Sequence, residues 1–79
     1  MIAVYTTRNS SIKLFEKLKN LGVLSKVINT PRELHLGCGL SVAFRECDFN
    51  RVKNVVNATS RQNFAGIWRE NAGVFTRIY

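Results

Sequence analysis

The segment Thr30-Pro31-Arg32-Glu33-Leu34-His35-Leu36-Gly37-Cys38-Gly39-Leu40 gathers the residue types in this chain that could do chemistry: the only proline, the only histidine, an arginine, and a cysteine between two glycines. A cysteine acts as a nucleophile through its thiolate, which forms most readily in an accessible, electropositive setting. Gly37 and Gly39 remove side-chain bulk on both sides of the sulfur. They also allow backbone angles that would turn amide groups toward it. With Arg32 and His35 within reach, such a setting favours thiolate over thiol at Cys38. The competing reading is that Cys38 is a small packing residue in a glycine-rich turn, inert like most lone cysteines.

Other cysteine chemistries fit less well. Cys47 stands one residue before Asp48, a helix-capping residue, and reads as structural or incidental. His35 has no second histidine or carboxylate at helical ligand spacing. Cys38, Cys47 and His35 would supply three ligands at most, at spacings unlike any standard metal motif, so neither a metal nor another cofactor is expected. Cys38 and His35 are also too close in sequence to predict the nucleophile-base geometry of a cysteine protease.

The flanking segments dictate how this stretch is held. Ile2 to Thr6 is short and rich in β-formers, a strand that ends at Thr7-Arg8-Asn9-Ser10. Asn9 or Ser10 can cap a helix carrying Leu14, Phe15, Leu18 and Leu21 at helical spacing, with Gly22 placed to end it. Val23 to Ile28 and Leu40 to Arg45 read as the second and third strands. Asp48 caps a second helix with Phe49, Val52, Val55, Val56 and Thr59 along one side. Phe64 to Arg69 and Val74 to Tyr79, separated by Asn71-Ala72-Gly73, form a closing hairpin or one pairing strand with a tail. The order β-α-β-β-α-β predicts an α+β, ferredoxin-like sandwich with two helices on one face of an antiparallel sheet.

In that arrangement Thr30 to Leu40 joins the second and third strands. Hairpin loops usually hold about 2 to 5 residues, and longer ones in small domains are more often functional than idle. Thr30-Pro31-Arg32-Glu33 has the form of a capping box, with Pro31 preset at the first helical position. The sequence therefore predicts a short helical turn over Thr30 to Leu36, stopped at Gly37, with Cys38 beyond its end and partly exposed.

The 79 residues make a single domain, 1–79, with one modest core. A 46% hydrophobic content with mixed charges argues a folded chain. The longest apolar runs fall far short of the roughly 18 residues of a membrane span. Met1 is not followed by the pattern of an export signal, so the expected location is cytoplasmic and both cysteines are expected as thiols. The net charge is +7, dispersed along the whole length. It points to an anionic partner, either an acidic protein surface, a phosphorylated ligand or nucleic acid, or else to no more than a solvated basic surface.

Thr30-Pro31-Arg32, a short spacer, then Cys38-Gly39-Leu40 entering an apolar strand, resembles the signature of the selenium/sulfur carrier protein-like family. The resemblance covers nearly the whole chain, including the helix ending near Gly22 and a late Gly66-Ile67-Trp68-Arg69. In the family the spacer tends to hold small hydroxyl residues, where this chain has Leu34-His35-Leu36-Gly37. The resemblance implies a carrier more than a stand-alone enzyme, with sulfur or selenium held on Cys38 as a persulfide or selenopersulfide. Thr30, Pro31, Arg32, His35, Gly37 and Gly39 would be its binding surroundings. It further implies a cysteine desulfurase or selenium donor on one side and an acceptor protein on the other; oligomeric state is left open.

Two other classes compete. An RNA-recognition module shares the β-α-β-β-α-β order, and Gly37 to Phe44 loosely resembles its glycine-aromatic strand motif. The stacking positions would be Cys38 and Leu40, however, which have no ring to stack on a base, and Tyr5 is the only well-placed aromatic. Nucleic acid is thus not the expected partner. The third class is a regulatory small domain with a structural Cys38.

Overall fold

A computed structural model describes residues 1–35, 39–59 and 61–79. The chain is α+β, with two helices and a five-stranded antiparallel sheet. Its elements are β1 (Ile2–Tyr5), α1 (Arg8–Asn20), β2 (Ser25–Asn29), β3 (Leu40–Phe44), α2 (Phe49–Ala58), β4 (Phe64–Asn71) and β5 (Val74–Arg77), with 3-10 turns at Arg32–Leu34 and Glu46–Asp48. The strands lie in the order β2-β3-β1-β4-β5. No helix among the described residues is long and apolar enough to cross a membrane.

β1 is uniformly apolar because it lies inside the sheet, between β3 and β4, and is buried along its whole length. The register pairs Ala3 with Val42 and with Ile67, which puts these three side chains on one face together with Tyr5 and Phe44. Leu14 and Leu18 of α1 and Val52 and Val56 of α2 join them in one core cluster, so both helices cover this face. Ile2 and Val4 point the other way, toward a second layer containing Ser41, Gly66 and Trp68, and they too are buried.

The ends of α1 illustrate which local signals prevail. Its C-terminus is a Schellman motif: the amide of Gly22 donates to the Lys19 carbonyl at 3.1 Å and that of Val23 to the Leu18 carbonyl at 2.9 Å. Val23 is thereby drawn into the core, and β2 begins at Ser25, two residues later than expected. The N-cap is Thr7, not Asn9 or Ser10. Thr7 has extended backbone angles and accepts from the Ser10 amide at 3.3 Å. The reason is tertiary: the Thr6 amide donates to the Asn63 carbonyl at 2.7 Å, which holds the end of β1 and makes the chain turn at once.

Asp48 precedes α2 as expected, but its side chain makes no capping bond. The 3-10 turn Glu46–Asp48 runs directly into α2, leaving Asp48 at φ −97°, ψ 8°, outside the extended region from which a cap folds back. Its buried carboxylate instead meets Arg45 at 3.3 Å and Arg51 at 3.8 Å.

The C-terminal segment is a hairpin and not a free tail. Ala72 and Gly73 both have positive φ, 53° and 81°, which matches a two-residue turn to the twist of its strands. Beyond β5, the Tyr79 ring packs on Phe64 and its hydroxyl bonds the Asn57 side chain of α2. The strand expected over Val74 to Tyr79 therefore ends at Arg77.

Candidate functional site

Four segments meet at one end of the sheet: the end of β1, the start of α1, the connection between β2 and β3, and the approach to β4. The Thr6–Asn63 bond joins the first to the last. Ser11 of α1, fully buried, donates its hydroxyl to the Leu40 carbonyl at 2.9 Å and so ties the helix to the first residue of β3. The chemistry-bearing connection springs from this corner.

Its base is fixed by two bonds. The Thr30 amide donates to the Gly39 carbonyl at 2.9 Å, one step beyond the last pair of the β2–β3 ladder, Asn29 with Leu40. The Thr30 hydroxyl lies 2.6 Å from that of Ser41, which is fully buried. The excursion that leaves β2 at Thr30 and returns at Gly39 is therefore closed at its root. Gly39 has φ +95°, a conformation that side chains seldom adopt, and an added Cβ there would meet open space.

Within the excursion, the expected capping box is not formed. Thr30 spends its hydroxyl on Ser41, no side chain caps the turn, and Pro31 precedes it instead of opening it. What forms is the 3-10 turn Arg32–Leu34, in which the Leu34 amide donates to the Pro31 carbonyl at 3.2 Å and the His35 amide to the Arg32 carbonyl at 3.0 Å. His35, at φ 50°, ψ 33°, ends the turn in the left-handed conformation expected of Gly37. Arg32, Glu33 and His35 are exposed, while Pro31 and Leu34 are half-buried.

Leu36, Gly37 and Cys38 lie outside the described residues, and with them the expectations on the exposure of the Cys38 sulfur and the role of Gly37. Cys47 is an exposed free thiol in the turn after β3, so in the chain the whole of β3 stands between the two cysteines. Among the described residues no group of three or more His, Cys, Asp and Glu side chains could hold a metal ion.

Tyr5, the aromatic on which base stacking would rely, is 3% exposed and meets the Phe64 ring edge-on at 5.3 Å between centroids. It alternates in phase with Ala3 and so faces the helices, away from any ligand on the open side of the sheet. Burial raises the pKa of its phenol, partly offset by the nearby Arg61.

Sequence reasoning missed the Thr30–Ser41 pair, although one signal for it existed: a serine inside the otherwise apolar strand Leu40–Phe44. It also missed the packing of Trp68. The indole covers Gly66, and the Arg77 guanidinium lies 5.7 Å from its centroid.

The family model described as "Putative Se/S carrier protein-like" matches residues 1–69, which include the whole corner just described. The match ends before the tip of the β4–β5 hairpin. No curated protein and no solved structure matches the chain.

Proposed function

We propose that this chain, which belongs to the Se/S carrier protein-like family, carries sulfur or selenium on Cys38 and hands it to an acceptor protein. The observation that carries this reading is the closed root of the β2–β3 connection. Thr30, pinned to Gly39 and Ser41, closes the connection on which Arg32 and His35 are exposed and to which Cys38 belongs in sequence. A carrier thiol needs such a mounting: firm at the base for recognition, projecting enough to enter a partner's active site. The topology belongs to the same proposal. The order β2-β3-β1-β4, with both helices covering one face, supports a ferredoxin-like unit to which β5 adds an edge strand.

The chemistry is exchange at a chalcogen. The Cys38 thiolate attacks the terminal sulfur of a donor persulfide, forming a new sulfur–sulfur bond as the donor's cysteine departs as thiolate. The terminal sulfur moves with its proton and no external oxidant is consumed. Release is the same step reversed, with an acceptor nucleophile taking the terminal atom and Cys38 leaving as thiolate. Selenium follows the same course through a selenopersulfide. Exposed Arg32 offers a guanidinium to the anionic terminal atom, and the net charge of +7 steers the carrier toward acidic partner surfaces. Donors of this kind are the persulfide of a cysteine desulfurase or a protein selenopersulfide, whose terminal selenium is already at the oxidation level it keeps on Cys38, and the cytosol keeps the thiol reduced between cycles.

Incubation with a desulfurase and cysteine, or with a selenopersulfide donor, tests the proposal by intact mass. The protein should gain one sulfur or selenium atom, which a reductant removes. Arg32→Ala should slow loading while leaving the fold unchanged. Loading of a Cys38→Ser variant equal to that of the parent would return Cys38 to a structural role.

A further inference from the structure

A cleft of about 470 Å³ opens beside α1 at the same corner of the molecule. Lys13 and Lys17, one helical turn apart, stand on one side, and Tyr5, Ser10, Thr59 and Asn63 contribute to the remaining wall. No carboxylate lines it, and neither lysine makes an ion pair among the described residues. Like charges at this helical spacing repel, so an anion between them would relieve a standing cost.

A second observation is independent of the lysines. Tyr5 is 3% exposed, yet its hydroxyl makes no hydrogen bond among the described residues, and the residue borders the cleft. The phenol oxygen is not itself fully enclosed, so it is open to the cleft and can donate to a ligand oxygen there. Because burial raises its pKa, the group stays protonated at neutral pH and is a donor. The Ser10 hydroxyl, which accepts from Thr7, and the Asn63 amide supply more donors, whereas the Thr59 hydroxyl donates to the Val56 carbonyl; the volume falls within the range of small-molecule sites.

We propose that this cleft binds a phosphate-bearing small molecule, its phosphate held by Lys13 and Lys17 with the Tyr5 hydroxyl beneath. The ligand class follows from cations and donors unopposed by carboxylates, and from a volume that accommodates more than a bare phosphate. The site shares a corner with the β2–β3 connection, since Ser10 on the cleft wall adjoins Ser11, which holds Leu40. It does not depend on the thiol chemistry.

The test titrates the isotope-labelled full chain with inorganic phosphate and, separately, with ribose 5-phosphate at ionic strength matched by chloride. Saturable shifts of the Tyr5, Lys13, Lys17 and Asn63 amide signals are expected. Lys13→Gln combined with Lys17→Gln should weaken binding by about tenfold or more in a chain that remains folded. Lys13→Arg with Lys17→Arg should keep it. Saturation by the ester alone identifies an organic phosphate as the ligand, and equal saturation by both identifies the phosphate group itself. Cys38→Ser should bind as the parent does, which separates this site from the carrier reading. Shifts reproduced by chloride, binding unchanged in the double Gln variant, or tighter binding of a short single-stranded RNA at equal phosphate concentration would overturn the proposal.

Discussion

Thr30 and Ser41 share a hydroxyl–hydroxyl hydrogen bond of 2.6 Å at the root of the β2–β3 connection, with Ser41 fully buried. Removing one partner strands the other, and an unsatisfied buried hydroxyl costs about 1–3 kcal/mol. Thr30→Val should therefore lower the urea-unfolding free energy by about that amount. Ser41→Ala, which strands the less buried Thr30, should cost less. A double-mutant cycle should return a favourable coupling between the two positions. Additive effects would show that the pair does not hold the connection.

Gly66 should not tolerate a methyl group. Its added Cβ would sit 2.9 Å from Arg77 Nε and 3.0 Å from the Trp68 ring, and its φ of +146° is one that side chains rarely adopt. Overfilling of this kind costs about 1–3 kcal/mol. Gly66→Ala should destabilise the chain within that range and shift Trp68 fluorescence as the indole leaves its seat. An unchanged emission spectrum together with unchanged stability would contradict the packing described.

Tyr5 makes stability fall at alkaline pH. Its pKa is raised above 10.0 in the folded chain, chiefly by burial, so the folded state holds a proton that the unfolded state has begun to lose. Where the unfolded chain binds fewer protons, stability declines as pH rises. The loss begins near pH 10 and ends once pH has passed the folded pKa. Tyr5→Phe should flatten this part of a stability-against-pH curve. A curve of the same slope in the variant would rule Tyr5 out as its source.

Much of the fold was legible because local and tertiary preferences agree. Gly22 marks the end of α1 since the Schellman motif needs a residue of its kind just there, and Leu14, Leu18, Val52 and Val56 repeat at helical spacing because one face meets the sheet. The errors fall where several residues could serve and a distant contact decides. Thr7, Asn9 and Ser10 are all capable caps, and the bond from Thr6 to Asn63 selects the first. Thr30 and Glu33 spell a capping box, but a hydroxyl eleven residues away competes for Thr30 and wins. Gly66-Ile67-Trp68-Arg69 stood out in the sequence, yet the need for glycine arises from Arg77 on the next strand, a relationship no local pattern contains. At the candidate site, residue types alone direct attention to the Thr30 to Leu40 connection, whereas the bonds at its root depend on strand register.

The central claim is that Cys38 accepts a chalcogen and passes it on, and a label chase tests it most directly. The chain would be loaded from a persulfide donor carrying isotopically labelled sulfur, separated from the donor, mapped by peptide mass spectrometry, and then offered to an acceptor thiol. The account predicts label on the Cys38 peptide, little on that of exposed Cys47, and its appearance on the acceptor at the rate at which it leaves Cys38. Label spread equally over both cysteines, or lost to solvent before it reaches the acceptor, would contradict it.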